Sequence, residues 1–395
     1  MLLNLRPAIS AQSRTSFPRL EPDPKALEYY KLSGRDHGYS WTKLAEISLW
    51  TSGDYSVSNL AKIRSAVEAL NNSPALPKTA KERAEFILGF MHKNLLKSYS
   101  HNQTRIGTLL SNGRFNCVSS AVLYMVLCRS AGLFVRGVMT KDHAFTILHI
   151  GESDIDVETT NPYGFDPGNR KEFSDHFGRV TGFAYVPAHN YRDRQTIGQI
   201  ELISLILNNR IAELESGGNY ADAVPIAVDR TALLMGNVSD ARSETAEKSH
   251  GPIFEHPLKD LMDRLFNYGA NLLNAGREED GLAWAAAASS MYPDESRWQE
   301  FIFTAVNNRI TKYVKAGKPT DARNFLGNQK SLINRAHYAK LEAIVIEVER
   351  LDFHNRFAAA WNKKNFDEAV HILNKGLAEF PDDRQLLSDK AAIKR

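Results

Sequence analysis

One thiol, one imidazole and one short acidic run are spaced for nucleophilic chemistry. Cys117 lies in Gly113-Arg114-Phe115-Asn116-Cys117-Val118-Ser119-Ser120, at the start of an apolar segment that reads as helix to Ala131. His143 follows in Asp142-His143-Ala144-Phe145, and Asp156-Val157-Glu158-Thr159-Thr160-Asn161-Pro162 comes next. The thiolate, not the thiol, is the reactive form of cysteine. A helix N-terminus offers partial positive charge and free N–H groups that favour it, and a nearby imidazole can take the proton. The same N–H groups can hold the oxyanion formed when a carbonyl is attacked.

The hairpin register ranks the acids that could serve His143. Ala144 to Ile150 and Ile155 to Thr160 read as strands, separated by the turn-rich Gly151-Glu152-Ser153-Asp154. A two-residue turn at Ile150-Gly151 sets Glu158 opposite His143. A turn centred on Glu152-Ser153 sets Glu158 opposite Ile147. In both registers Glu158 lies closer to His143 than Asp156 does, so Glu158 is the expected orienting carboxylate and Asp156, on the same strand face, the alternative. A zinc site from Cys117, His143 and a carboxylate has no paired ligand spacing behind it. Cys128 reads as a small buried core residue, and His149 and His101 as strand and loop histidines.

The surrounding elements are mostly helical. Trp41–Trp50, Val57–Leu70 and Thr79–Leu96 carry helical periodicity. Thr79 is placed to cap the last of these, with Glu82 completing a capping box. Residues 117–131 form a helix apolar on several faces, and Gly132 is its stop. Leu133 to Met139 reads as a further strand, and Thr160 to Arg170 as a loop.

The three motifs together resemble the transglutaminase-like superfamily: Asn116-Cys117-Val118-Ser119-Ser120, Asp142-His143-Ala144-Phe145 and Glu158-Thr159-Thr160-Asn161-Pro162. The resemblance covers about residues 80–175. It implies an α+β, papain-like core with a small antiparallel sheet and a central Cys-bearing helix. It implies thiol acyl transfer on amides, as peptidase, amidase, deamidase or transglutaminase. Cys117 becomes the nucleophile, His143 the base and then acid, and Glu158 the orienter in the place where the family usually has Asp. The Cys117 backbone N–H is the first oxyanion donor. Gln103, Asn116, Asp142 and Tyr163 are the remaining candidates for the oxyanion site or substrate cleft. Neither a cofactor nor a metal is expected.

From about residue 198 the chain reads as helix to its end, with a recurring phrase. Asn365-Phe366-Asp367-Glu368-Ala369-Val370 is the clearest copy. Gly218-Asn219-Tyr220-Ala221-Asp222-Ala223, Gly276-Arg277-Glu278-Glu279-Asp280-Gly281 and Gly317-Lys318-Pro319-Thr320-Asp321-Ala322 are the others. Each has a turn, a cap, then a small residue that lets two helices approach. This resembles the tetratricopeptide repeat, whose helix pairs stack into an all-α solenoid that docks proteins. The copies are spaced more widely than the usual 34 or so residues, so longer helices or insertions such as the polar Asn237–His256 stretch are expected. The expected division is an irregular arm over 1–40, a transglutaminase-like domain over 41–197 and a helical repeat domain over 198–395. A second reading makes the Cys domain a silent scaffold and the repeats the working surface.

Composition narrows the partners. The 395 residues carry 49 basic and 46 acidic side chains, a net charge of +3. That balance gives no case for a nucleic-acid footprint or a polybasic membrane anchor; the peptide or protein substrate and the protein partner are what the two resemblances imply. The two cysteines, Cys117 and Cys128, lie roughly 16 Å apart along one helix, which excludes a disulfide between them. No apolar run is long enough to span a bilayer. The opening Met1–Gln12 is too short and broken in its apolar part for a complete signal peptide. A cytoplasmic location is the default, and export stays open if this segment is a truncated leader.

Overall fold

The computed structural model describes residues 16–33, 39–168, 171–187, 190–236 and 253–393. The opening Met1–Gln12 and most of the polar stretch at 237–256 lie outside these residues. The protein is a mixed α/β chain, largely helical, with one small antiparallel sheet and a helical C-terminal region. It divides into two compact units, Phe17–Tyr268 and a second built from Gly269 onward.

The first unit opens with α1 (Pro24–Ser33), α2 (Trp41–Ser52), α3 (Val57–Asn71) and α4 (Ala80–Asn94). Then come β1 (Ser98–Tyr99), α5 (Ile106–Asn112), β2 (Arg114–Phe115), α6 (Cys117–Ser130), β3 (Val135–Met139), β4 (Ala144–Ile150) and β5 (Ser153–Val157). It continues with α7 (Lys171–Thr181), β6 (Gln195–Ile197), α8 (Gln199–Ser216) and α9 (Tyr220–Met235), and reaches into α10 (Pro257–Asn274). The sheet order is β5-β4-β3-β6, all antiparallel. β1 and β2 form a separate two-residue parallel pair.

α6 is the central element. Cys117 to Cys128 are all buried, because α2, α3, α4, α8 and the sheet pack around it. Tyr124 donates its hydroxyl to the Ala84 carbonyl at 3.0 Å, tying α6 to α4. Burial raises the Cys128 pKa, so that thiol stays protonated as a packing residue. The apolar residues of α6 join Leu44, Ile63, Ile87, Leu148, Val157, Leu202 and Ile206 in one core.

Two boundaries differ from the sequence reading. Part of the arm expected to be irregular is α1, whose Ala26 and Tyr29 are buried. The division expected at 198 falls inside the first unit. Leu202, Ile203, Leu205, Ile206 and Leu207 of α8 belong to the α6 core. An apolar stripe at helical spacing looks the same whether it faces a sheet-bearing core or a neighbouring hairpin.

The helices beyond form hairpins: α11 (Glu278–Met291), α12 (Arg297–Lys315), α13 (Pro319–Asn328), α14 (Arg335–Asn362), α15 (Phe366–Glu379) and α16 (Arg384–Ile393). The four copies of the recurring phrase open α9, α11, α13 and α15. Two residues before each helix the backbone is left-handed, at Gly218 (φ 78°), Gly276 (74°), Gly317 (68°) and Lys364 (63°). That conformation suits glycine, and lysine adopts it at some cost. The small residue is buried in all four copies, in three of them as Ala223, Ala322 and Ala369. In the fourth it is Gly281, where a Cβ would stand 2.7 Å from the Leu273 side chain. Among the described residues no helix is long and apolar enough to cross a membrane.

Candidate active site

The cap of α6 prepares the position of Cys117. Asn116 Oδ1 accepts from the Ser119 N–H at 2.9 Å, and Ser119 Oγ accepts from the Asn116 N–H at 2.9 Å. This reciprocal cap occupies the third amide of the helix and leaves the first two, of Cys117 and Val118, outside it. Cys117 therefore sits where helix amides converge on whatever negative charge forms at its side chain.

His143 is held by a turn, in which Thr140 N–H donates to the His143 carbonyl at 2.9 Å. Its ring is buried among Phe177, Phe183 and Phe145, with centroids 5.0, 5.6 and 6.2 Å away. Nε2 bonds Glu158 Oε2 at 2.7 Å. The carboxylate accepts that proton, which leaves Nδ1 as the working nitrogen. Nδ1 is buried without a hydrogen-bond partner. Cys117 lies near enough for its charge to act on the same ring. Burial alone lowers the ring's affinity for a proton, but Glu158 and then Cys117 raise it further, to a pKa of about 10. The imidazole is thus placed to exist as a cation between two acids.

That proton makes stability depend on pH. Between 6.5, the ordinary value, and about 10, the folded chain keeps a proton that the unfolded chain releases. Stability contributed by the charged ring is whole below pH 6.5 and falls as pH rises through that window. The difference in urea midpoint between wild type and His143→Ala is expected to be widest below pH 6.5 and to shrink towards pH 10. A difference that grows with pH would contradict this.

Glu158 is fully buried and satisfied on its far side. Oε1 accepts from the Thr160 N–H at 3.0 Å and the Thr160 hydroxyl at 2.7 Å. The hairpin turn is Gly151-Glu152, between the two registers considered from sequence, with Thr146 opposite Val157 and Ile147 opposite Asp156. Carried one step past Val157, this register sets Glu158 across from Phe145, diagonal to His143. The next residue ties this loop to the Cys helix, since Thr159 Oγ1 shares a 2.8 Å hydrogen bond with Ser120 Oγ of α6. His92 of α4 bonds the Thr159 carbonyl at 3.0 Å.

Asp156 has a different job. Arg194 grips it with both terminal nitrogens at 2.7 Å, and the Tyr185 hydroxyl donates to it. This buried pair anchors the segment that carries Phe183 over His143. Asp156→Ala would leave the Arg194 charge buried and unpaired, and is expected to cost about 3–5 kcal/mol of stability, read by urea denaturation. The alkylation rate of Cys117 in the folded variant should stay within about threefold of wild type, against the roughly hundredfold or larger change expected of a working acid–base partner. A loss comparable to that of Glu158→Gln would make Asp156 the working acid.

The other candidates separate. Gln103 is fully committed to backbone: its Nε2 donates to the carbonyls of Arg105 (2.8 Å) and Arg114 (3.0 Å), and its Oε1 accepts from the Arg105 N–H. It staples the loop before α6 and has no free donor for an oxyanion. Tyr163 is 77% exposed and lies off the cleft wall. Asn116 and Asp142 do line the cleft, beside Cys117 and His143. The cleft encloses about 410 Å³. Its opposite wall is the C-terminal half of α8, with Asn208, Asn209 and Glu213, residues that the sequence reading assigned to the repeats. Comparison with protein families, curated proteins and solved structures finds no match for this chain.

Proposed function

We propose that this chain is a thiol-dependent acyl-transfer enzyme of the transglutaminase-like type, acting on amide bonds of a peptide or protein. The observation that carries the reading is the buried His143–Glu158 pair, whose remaining ring nitrogen is unpartnered beside Cys117 at a helix N-terminus. Cys117 sulfur, its proton held by His143, attacks the amide carbonyl. The oxyanion lies at the first amides of α6. The His143 proton goes to the leaving amine as the C–N bond breaks, and a thioester remains on Cys117. Water or a second amine, losing its proton to His143, then attacks the thioester and frees the thiol. Glu158 keeps the ring in one tautomer and stabilises its charged form throughout.

The helices from α9 onward are read as tetratricopeptide-like repeats that dock a protein partner. Support comes from the left-handed turn residue and small packing residue at corresponding places in four copies.

The test is chemical trapping. The full chain is incubated with a library of glutamine- and asparagine-containing peptides and hydroxylamine, which converts a thioester to a hydroxamate. Hydroxamate formation, with acyl adducts mapped to Cys117, is expected. No adduct, together with iodoacetamide labelling no faster than a free model thiol, would favour the silent scaffold.

A further inference from the structure

Tyr99 carries a buried hydroxyl with no hydrogen-bond partner. Burying an O–H unpaired costs free energy, and phenylalanine would fill the same volume without that cost. The group is positioned by the chain that leads into Cys117. In the parallel pair β1–β2, Tyr99 stands abreast of Phe115, and the Ser100 N–H donates to the Phe115 carbonyl at 2.7 Å. The Tyr99 ring packs edge-on against Phe115 with centroids 6.0 Å apart. Asn116, the cap, and Cys117 follow directly.

The phenol's electrical surroundings point the same way. Burial comes first, then the charge of Cys117, then that of Glu158, and all three raise its pKa. The hydroxyl thus keeps its proton wherever the thiol chemistry would run. Other groups near the sulfur come from several elements. His143 precedes β4, Glu158 follows β5, and His101, Lys141 and Asp142 line the cleft. His92 of α4 packs edge-on against Phe115 with centroids 6.0 Å apart. Burial lowers its pKa, so it adds no positive charge at neutral pH.

We propose that Tyr99 is the hydrogen-bond donor for the ionised sulfur of Cys117: once charge forms there, the hydroxyl turns to it and holds the thiolate beside the imidazolium. The sulfur is a better acceptor than a substrate oxyanion for this group, because Tyr99 is not on the cleft wall and its oxygen is sealed from solvent. The inference rests on the Cys117–His143 reading and adds a residue to it.

The experiment compares full-length wild type, Tyr99→Phe and His143→Ala. Each is alkylated with iodoacetamide from pH 6 to 9.5, and each is melted. Tyr99→Phe is expected to melt at the wild-type temperature or above, since an unpaired buried hydroxyl has gone. It is expected to react about tenfold more slowly at pH 6, the size of one hydrogen bond to a charged acceptor. The gap should close towards pH 9.5, where the thiolate forms without help. A merely structural tyrosine would change the melting temperature and leave the pH profile alone. A wild-type rate that is raised and lost in His143→Ala, yet unchanged in Tyr99→Phe at every pH, overturns the Tyr99 assignment only. A wild-type rate equal to that of a free thiol overturns both.

Discussion

Cys117→Ser is expected to abolish acyl transfer, by about 10³-fold or more, in a protein that melts within a degree or two of wild type. Serine has the shape of cysteine, and position 117 has no hydrogen bond that the fold depends on. The loss would therefore report chemistry, because a hydroxyl does not ionise under conditions where the thiol does. His143→Ala should lower turnover by a comparable factor for another reason. It removes the group that takes the thiol proton and later supplies one to the leaving amine, a role worth about 10²–10⁴. It also strands Glu158 in the interior with only Thr160 as partner, so this variant should lose about 3 kcal/mol of stability as well. The double variant should be no slower than either single one, since both act in one step. The measurement is hydroxamate release per minute, with melting curves as the control. Turnover at wild-type rates in either folded variant would reject the mechanism.

Gly164→Ala should approach the effect of Glu158→Gln without altering any reactive group. A Cβ at position 164 would lie 2.0 Å from the Glu158 carbonyl oxygen, 2.9 Å from its carbon and 3.0 Å from the Asn161 oxygen. All three are backbone atoms, which cannot swing aside. The 2.8 Å bond from the Glu158 N–H to the Gly164 carbonyl must therefore open, and the carboxylate moves off His143. Glu158→Gln keeps the loop and loses the charge, and should lower turnover by about 10²–10⁴. Gly164→Ala is expected to fall in the same range and to lose about 2–4 kcal/mol of stability besides. Urea denaturation with a turnover assay would separate the two. A fully active Gly164→Ala protein would show that the loop absorbs the Cβ if Glu158→Gln is impaired, and that Glu158 does not orient the ring if Glu158→Gln is fully active too.

The sequence made some of these residues visible and hid others for physical reasons. Cys117 and His143 stand out because cap, helix and strand are local, each readable over a dozen residues. Glu158 could be favoured over Asp156 because it lay closer to His143 in either hairpin register, although the turn itself fell between the two registers considered. The role of Asp156 was not readable. Its partner Arg194 is 38 residues away and reaches it only once β6 has joined the sheet. Gln103 was misread because a side-chain amide on a loop gives no sign of whether backbone carbonyls will claim it. Tyr99 gave no signal, since a two-residue parallel pair has no periodicity. The division at 198 failed for a related reason: α8 carries a helical stripe, and periodicity does not say which neighbour the stripe meets.

That last helix bears on how such a protein can be taken apart or inherited. α8 lends Leu202, Ile203 and Ile206 to the interior around α6, and Asn208, Asn209 and Glu213 to the rim where a substrate would enter. Arg210 reaches back to the Thr51 carbonyl of α2 at 2.6 Å. A fragment ending before Gln199 would expose a greasy trough and lose one bank of its own cleft, so it should clump rather than work. Any change of α8 would therefore alter selectivity and solubility together.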